Sequence, residues 1–366
     1  MKFSIDREDI LQELQLFQGI VEKRNTMPIL ANILVNASDN KVDLTGTDLE
    51  VGLKSNFNAE VTEEGSLTVS GKKLYEIVRS LGEGKKIDFK EGDDLKMEIT
   101  SGESQFKVLC LPKEDYPQVP EPRFEKKIVL PLETLQQMID RVYFSITQEQ
   151  RYYLNGALMI LKTGSIELVS TDGHRLAYTS CELDSLKMEE EIRGIVSKKT
   201  LGELKKLEND TVQFDMDENN LFFKIDNRIL ISRIIEGKFP NYEAVIPKDN
   251  QNTLTISRAE ITSGIRRVSL LSTERSRGIK MALEKNQVSL FSSNPEIGEA
   301  RDRVNADYDG QDVEIGFNSQ YLIDFLTTVR TENVVFKIKD ENSAVLLKPG
   351  SSEDVKYLYV LMPMKI

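Results

Sequence analysis

Apolar and polar positions follow two rhythms along the chain, and the order of those rhythms recurs. A period-two run at Phe3-Ser4-Ile5 gives way to a helical period at Arg7-Glu8-Asp9-Ile10-Leu11. The same change appears at Ile128-Val129-Leu130 followed by Leu132-Glu133-Thr134-Leu135. It appears again at Leu254-Thr255-Ile256 followed by Arg258-Ala259-Glu260-Ile261. Starting points at 3, 128 and 254 are 125 and 126 residues apart, and a third of the 366-residue chain is 122. Two strand-like runs separated by a turn come next in each copy. They are Ile33-Leu34-Val35 with Val42 to Asp48, Leu158-Met159-Ile160 with Ile166 to Asp172, and Ile279 to Leu283 with Val288 to Asn294. The intervening Ser38-Asp39-Asn40, Thr163-Gly164 and Lys285-Asn286 have hairpin chemistry, because these residues tolerate a left-handed backbone.

A second helical period follows in each copy, over Gly71 to Val78, Lys198 to Leu204 and Ser319 to Leu326. Ser70, Ser197 and Asn318 precede these helices where an N-cap side chain can accept an orphan backbone N–H. Alternating runs such as Gln105 to Cys110 close each copy, and each ends at a proline step: Tyr116-Pro117, Phe239-Pro240 and Met362-Pro363. The pattern predicts three tandem α+β domains, 1–122, 123–250 and 251–366. Their joints fall near Pro120 to Arg123 and Pro247 to Asn252.

Composition narrows the class without naming a chemistry. Apolar residues at 39% can build cores, while 30% charge excludes a membrane-embedded chain, and no apolar run approaches the roughly 18 residues of a bilayer span. The opening Met1 to Asp9 carries charge where a signal peptide needs an apolar stretch, so a cytoplasmic protein is expected. Two cysteines, Cys110 and Cys181, exclude a disulfide framework.

Charge adds a local signal. With 48 basic and 60 acidic residues the net charge is −12, which speaks against a generally basic nucleic-acid binder. The bases nevertheless concentrate on predicted helices. Residues 71–86 and 258–277 each carry a local +3, and 198–208 carries +2. Helices lining a hole would make that lining basic inside an acidic exterior, suited to loose phosphate contact without base readout. A domain of this size is roughly 35 Å across, so a ring of six leaves a hole of roughly 35 Å, wide enough for a duplex. Two three-domain chains supply six.

No catalytic constellation emerges. His174 is the one histidine, too few for a metal site of the usual kind. Phosphate-binding loops, nucleophile elbows and paired metal-ligand motifs are absent from the sequence. Glu189-Glu190-Glu191 reads as a solvated run.

Several motifs together resemble one family. Tyr152-Tyr153-Leu154-Asn155-Gly156, Thr171-Asp172-Gly173-His174-Arg175-Leu176-Ala177 and Tyr359 to Ile366 closely resemble the beta subunit of bacterial DNA polymerase III, the sliding-clamp family. So do Leu44 to Glu50, Met27-Pro28-Ile29-Leu30 and Phe239-Pro240-Asn241-Tyr242, in consistent order along the whole chain. The resemblance implies a head-to-tail homodimer ring of six similar domains, helices inside and antiparallel sheets outside. Such a ring encircles double-stranded DNA and tethers the replicative polymerase alpha subunit and other proteins carrying a clamp-binding motif. A clamp loader opens it. It has no activity, cofactor or metal of its own.

By the same resemblance a partner-peptide pocket includes Leu154, Thr171, Gly173, His174, Arg175, Leu176, Pro240, Val245, Val360, Leu361, Met362, Pro363 and Met364. Adaptable Met and Leu side chains suit such a surface. DNA-facing candidates are Arg24, Lys73, Gln148, Tyr152, Tyr153 and Lys198. The dimer seam brings Phe106 and Val108 to Leu270 and Leu271. Ala244, Ala344 and Lys365-Ile366 depart from the family's commoner residues and bear on peptide preference. The rival reading is a repeat-built protein-interaction scaffold that never encircles DNA.

Overall fold

A computed structural model describes residues 1–21, 27–125, 128–147, 152–273 and 276–365, with Tyr152 described by its backbone alone. The first repeat runs β1 (Lys2–Asp6), α1 (Arg7–Phe17), β2 (Asn32–Ser38), β3 (Lys41–Thr47), β4 (Val51–Asn58), β5 (Glu60–Glu63), β6 (Gly65–Ser70), α2 (Gly71–Ser80), β7 (Lys86–Gly92), β8 (Lys96–Ser101) and β9 (Ser104–Leu111). The second runs β10 (Ile128–Pro131), α3 (Leu132–Tyr143), β11 (Gly156–Lys162), β12 (Ser165–Thr171), β13 (Arg175–Glu182), β14 (Ile192–Ser197), α4 (Lys198–Leu204), β15 (Thr211–Met216), β16 (Asn220–Ile225) and β17 (Arg228–Arg233). The third runs β18 (Asn252–Ser257), α5 (Arg258–Ser269), β19 (Gly278–Glu284), β20 (Gln287–Asn294), β21 (Gly298–Asp307), β22 (Val313–Asn318), α6 (Ser319–Thr328), β23 (Asn333–Ile338), β24 (Val345–Pro349) and β25 (Val355–Leu361).

The predicted local chemistry forms these elements. Asp39 and Asn40, at φ 48° and 57°, make the β2–β3 turn with two left-handed residues, which matches the twist of the flanking strands. Ser70 caps α2 by accepting from the Lys73 amide at 3.4 Å, and Asn318 caps α6 by accepting from the Gln320 amide at 2.9 Å. Each helix buries one stripe: Ile10, Leu14 and Phe17 on α1, Leu74 and Val78 on α2, Ile261, Ile265 and Val268 on α5. A β-carbon at Gly46 would stand 2.6 Å from the Phe17 ring, so glycine lets α1 lie close on β3.

The chain divides into two compact units, and the middle repeat contributes to both. The first unit holds Met1–Glu133 and Lys199–Ile234. Its 13 strands form one sheet in the order β10-β15-β16-β17-β4-β3-β2-β6-β9-β8-β7-β1-β5. The second holds Thr134–Lys198 and Ile235–Ile366. Its 12 strands run β14-β11-β12-β13-β25-β24-β23-β18-β21-β20-β19-β22. Within each unit one repeat continues the sheet of another: β17 lies antiparallel to β4, and β25 antiparallel to β13.

The predicted joints are pinned stretches. Lys54 holds Glu121 at 2.9 Å, and the Phe124 amide donates to Asp215 at 2.7 Å. In the second unit the Asn250 side chain donates to the carbonyls of Lys337 and Ala344 at 2.8 and 2.9 Å.

Candidate functional site

The turn between β12 and β13 is built by its own side chains. The Thr171 hydroxyl donates to the Arg175 carbonyl at 2.6 Å and accepts from the Gly173 amide at 3.1 Å. Asp172 accepts from the amides of His174 and Arg175 at 3.0 and 3.1 Å. Gly173 sits at φ +89°, where a side chain is strained. The result is a tight loop that leaves Gly173 and His174 exposed.

The C-terminal strand lies beside this turn. β25 pairs with β13 so that Val360 meets Leu176 and Leu361 meets Arg175. Beyond the strand the Met362 amide donates to the His174 carbonyl at 3.0 Å, and the Met364 amide to the Gly316 carbonyl at 2.9 Å. Strand alternation then sorts the predicted residues onto two faces. Leu154, Leu176 and Val360 join one apolar cluster with Leu158, Phe239, Tyr242 and Leu346; Tyr153, Ile246 and Ala344 pack against it. Met362 and Val245 stay 44% and 45% exposed, Pro240 is exposed, and Pro363 and Met364 are half-buried. The Val245 amide donates to the Tyr242 carbonyl at 3.1 Å, which ties that exposed residue's backbone to the cluster.

The alternation sets two residues named by the resemblance, Leu361 and Arg175, on the other face from that cluster. Leu361 is fully buried and sits on the opposite face of β25 from Val360. Arg175 shares its face. The Arg175 guanidinium donates to Asp172 at 2.9 Å, to Asp324 on α6 at 2.5 Å and to the Phe144 carbonyl at 2.6 Å. It also lies over the Tyr321 ring at 4.1 Å. Sequence reasoning missed the floor residues Phe239, Tyr242 and Leu346, although the Phe239-Pro240-Asn241-Tyr242 motif was the available signal. The Tyr242 hydroxyl donates to Glu167 at 3.0 Å; burial, with that carboxylate beside it, pushes the phenol's pKa up.

Among the DNA-facing candidates, Arg24 and Gln148 lie outside the described residues, as does the Tyr152 side chain. Lys73 is exposed and pairs with Glu76 at 2.9 Å. Lys198 is half-buried. Its ammonium donates to the Ile146 carbonyl at 2.9 Å and lies 5.2 Å from the Tyr143 ring centre, and burial lowers its pKa. Tyr153 packs, partly buried, on the apolar cluster. The basic helices are also less bare than their composition suggested. Lys206 pairs with Glu203 at 2.7 Å, Arg267 with Asp302 at 2.6 Å, and Arg258 donates to the Thr331 carbonyl at 3.0 Å.

Two of the seam candidates lie on a sheet edge. β9 bonds β8 along its length but meets β6 only at Cys110 and Leu111, so among the described residues Ser104 to Leu109 are paired on one side only. Phe106 and Val108 are half-exposed on it. Leu270 caps α5 with 77% of its surface exposed, and Leu271 is half-buried. Cys110 and Cys181 are both free and buried. Among the described residues no group of three or more His, Cys, Asp or Glu side chains is placed to hold a metal, and no helix is long and apolar enough to cross a membrane.

Comparison with known proteins agrees along the whole chain. Models of the N-terminal, central and C-terminal domains of the DNA polymerase III beta subunit match residues 1–120, 129–241 and 243–365. The beta sliding clamp of Pseudomonas putida is 36% identical over 371 residues, and that of Caulobacter vibrioides 35% over 376, each alignment covering all of both chains. The crystal structure of the Pseudomonas aeruginosa sliding clamp bound to griselimycin superposes with a TM-score of 0.94 at 35% identity, again over all of both chains. The Caulobacter crescentus clamp does so at 0.94 and 33%. Three tandem clamp domains, and the motifs that pair the Thr171–Leu176 turn with the tail strand, place this chain in the DNA polymerase III beta subunit family, the bacterial sliding clamps.

Proposed function

We propose that the chain works as a head-to-tail homodimer whose six domains, cut near 1–122, 123–250 and 251–366, surround duplex DNA in the cytoplasm. As a sliding clamp it is a non-catalytic processivity factor for DNA polymerase III. The finer assignments are our reading. A clamp loader places the ring, and the polymerase alpha subunit and other partners hold it through a short extended peptide with a glutamine and apolar anchors. The peptide lies over Leu154, Leu176, Val245, Val360 and Met362, beside Thr171, Gly173, His174, Pro240, Pro363 and Met364. DNA contact falls to Lys73, Arg24, Gln148 and Tyr152 in this reading, with Lys198 and Tyr153 acting from behind.

One observation carries the pocket. The Val245 amide donates to the carbonyl of buried Tyr242 at 3.1 Å and the Met362 amide to the His174 carbonyl at 3.0 Å, so the exposed side chains of Val245 and Met362 stand on backbone tied to the strands and turn that carry the cluster of Leu154, Leu176, Tyr242 and Val360. An apolar patch beside ordered backbone groups is what a peptide anchor needs. For the seam, Phe106 and Val108 on an open strand edge and the exposed Leu270 supply apolar surface that a second chain can cover.

Retention on circular DNA tests the encirclement. Loaded protein should stay on a closed circle and be lost when the circle is linearised. A monomer indifferent to DNA topology would support the scaffold reading. Deleting 362–366 should abolish polymerase stimulation with the dimer intact; normal processive synthesis by that variant would sink the pocket.

A further inference from the structure

We propose that Met362 is an oxidation switch for the peptide pocket. Hydrogen peroxide converts its thioether to the sulfoxide, which turns an apolar anchor surface polar and releases the peptide. The inference rests on the pocket proposed above and adds its regulation.

Exposure picks out two of the ten methionines. Met362 is 44% exposed and Met27 41%. Met97, Met138, Met159 and Met281 are at most 1% exposed, and Met1 is 7% exposed. Met188, Met216 and Met364 are half-buried. Peroxide has to touch the sulfur it oxidises, so the two exposed thioethers react ahead of the rest. Met27 belongs to the first compact unit, and Met362 to the second, which holds the β12–β13 turn and the tail strand. The chain thus carries its own control: two sulfurs of matching exposure, one in the proposed site and one outside it.

The setting of Met362 makes its oxidation consequential. The Met362 amide donates to the His174 carbonyl at 3.0 Å, which carries the β13–β25 pairing one residue past Arg175 and Leu361. Strand alternation then puts Met362 on the face of Val360, whose side chain belongs to the buried apolar cluster. Two residues on, the Met364 amide donates to the Gly316 carbonyl at 2.9 Å. The backbone is held on either side of Pro363, so an altered Met362 side chain stays on that face. As a thioether it is flexible and apolar, and it adapts to different anchors. The sulfoxide oxygen is a strong acceptor that an apolar anchor cannot satisfy, so covering it costs its hydration. In the step itself the sulfur lone pair attacks one peroxide oxygen. The S–O bond forms as the O–O bond breaks, and the proton of the attacked oxygen passes to the second, which leaves as water. Sulfur loses two electrons and the peroxide gains them. A bound peptide covers the thioether, so the step acts on clamps between partners.

The test treats the full-length protein with hydrogen peroxide and follows two readings together. One is sulfoxide at each methionine by peptide mass mapping; the other is affinity for a fluorescent peptide carrying a glutamine and apolar anchors. Met362 and Met27 should gain oxygen first, and the dissociation constant should rise at least about tenfold in step with Met362 alone. Met27→Leu should lose affinity on treatment as the unaltered chain does. Met362→Leu, compared with itself before treatment, should not respond. Saturating peptide should slow oxidation at Met362 and not at Met27, and the two methionine sulfoxide reductases, one for each epimer, should restore binding. Complete sulfoxide at Met362 with unchanged affinity, or slower reaction there than at Met188 and Met216, would overturn the switch while leaving the pocket standing. An untreated chain that does not bind the peptide, or a peptide that binds without shielding Met362, would overturn the pocket and the switch with it.

Discussion

Arg175 on β13 reaches Asp324 on α6 with a 2.5 Å ion pair, and through it the last helix fixes the turn that presents His174. The His174 carbonyl in turn receives the Met362 amide. Arg175, which resemblance assigns to peptide contact, is thus a clasp among α6, the β12–β13 turn and the tail strand.

Asp324→Ala should therefore weaken partner binding without removing a contact to the partner. The variant leaves a buried guanidinium with Asp172 and the Phe144 carbonyl but without its second carboxylate. A loss of about 3 kcal/mol in stability follows from breaking a buried pair. Titrating the variant with a clamp-binding peptide should show at least tenfold weaker affinity, and Asp324→Asn, which keeps an acceptor, should fall between. Unchanged affinity for Asp324→Ala would show that the clasp and the pocket are independent.

Lys73 and Lys198 should separate in their salt response. Each phosphate contact contributes about −0.9 to the slope of log affinity against log salt. Lys73, exposed on α2, can release Glu76 and reach a phosphate, so Lys73→Ala should make the slope shallower by nearly that amount. Lys198 is tied to the Ile146 carbonyl and its charge is disfavoured by burial. Lys198→Met should leave the slope unchanged and cost about 1 kcal/mol of stability. A shallower slope for Lys198→Met would place its ammonium on a phosphate after all, as the resemblance implies.

Much of the fold was legible because its signals are local. The Asp39-Asn40 turn, the cap residues Ser70 and Asn318 and the buried stripes of α1, α2 and α5 depend on neighbours a few residues away. The third strand of each repeat was harder to see. β4 and β21 carry polar residues on mixed patterns, and β4 is completed by β17, whose Arg228 pairs with Ser55 from far along the chain. The motifs named the residues proposed for the pocket, but not which of them share a face. Whether Val360 or Leu361 faces the cluster is decided by strand phase, and Arg175 looks like a surface base until Asp324 and Tyr321 are placed around it. Lys198 shows the same limit: composition counts a charge, while only the fold tells where the ammonium points.

Cys110 should be a poor nucleophile. Burial raises its thiol to about 11 from a reference of 9.0, so the native state holds the proton more tightly than the unfolded chain. At pH 8 the thiolate fraction is about 100-fold below that of an ordinary thiol. In a Cys181→Ser background, labelling by a disulfide reagent should be slower by at least that factor and accelerate on denaturation. The sign also sets a pH trend: this contribution is complete below pH 9 and is lost as pH rises toward 11. Rapid labelling of the folded protein at pH 8 would contradict the buried placement.

Glu13 and Arg228 make the buried ion pair of the first unit's junction. Arg228 donates to the two Glu13 carboxylate oxygens at 2.6 to 3.2 Å, Ser55 adds a third donor, and the two residues are 4% and 9% exposed. Arg228→Met strands a carboxylate on α1 in an apolar junction. The expected loss is about 3–5 kcal/mol, read as a lower urea midpoint. Adding Glu13→Leu removes the stranded charge and should recover most of it, since a well-packed apolar pair is often no worse than an ionic one. If Arg228→Met keeps the urea midpoint of the unaltered chain, the carboxylate has found water, and the junction is looser than the contacts between β4, β17 and α1 imply.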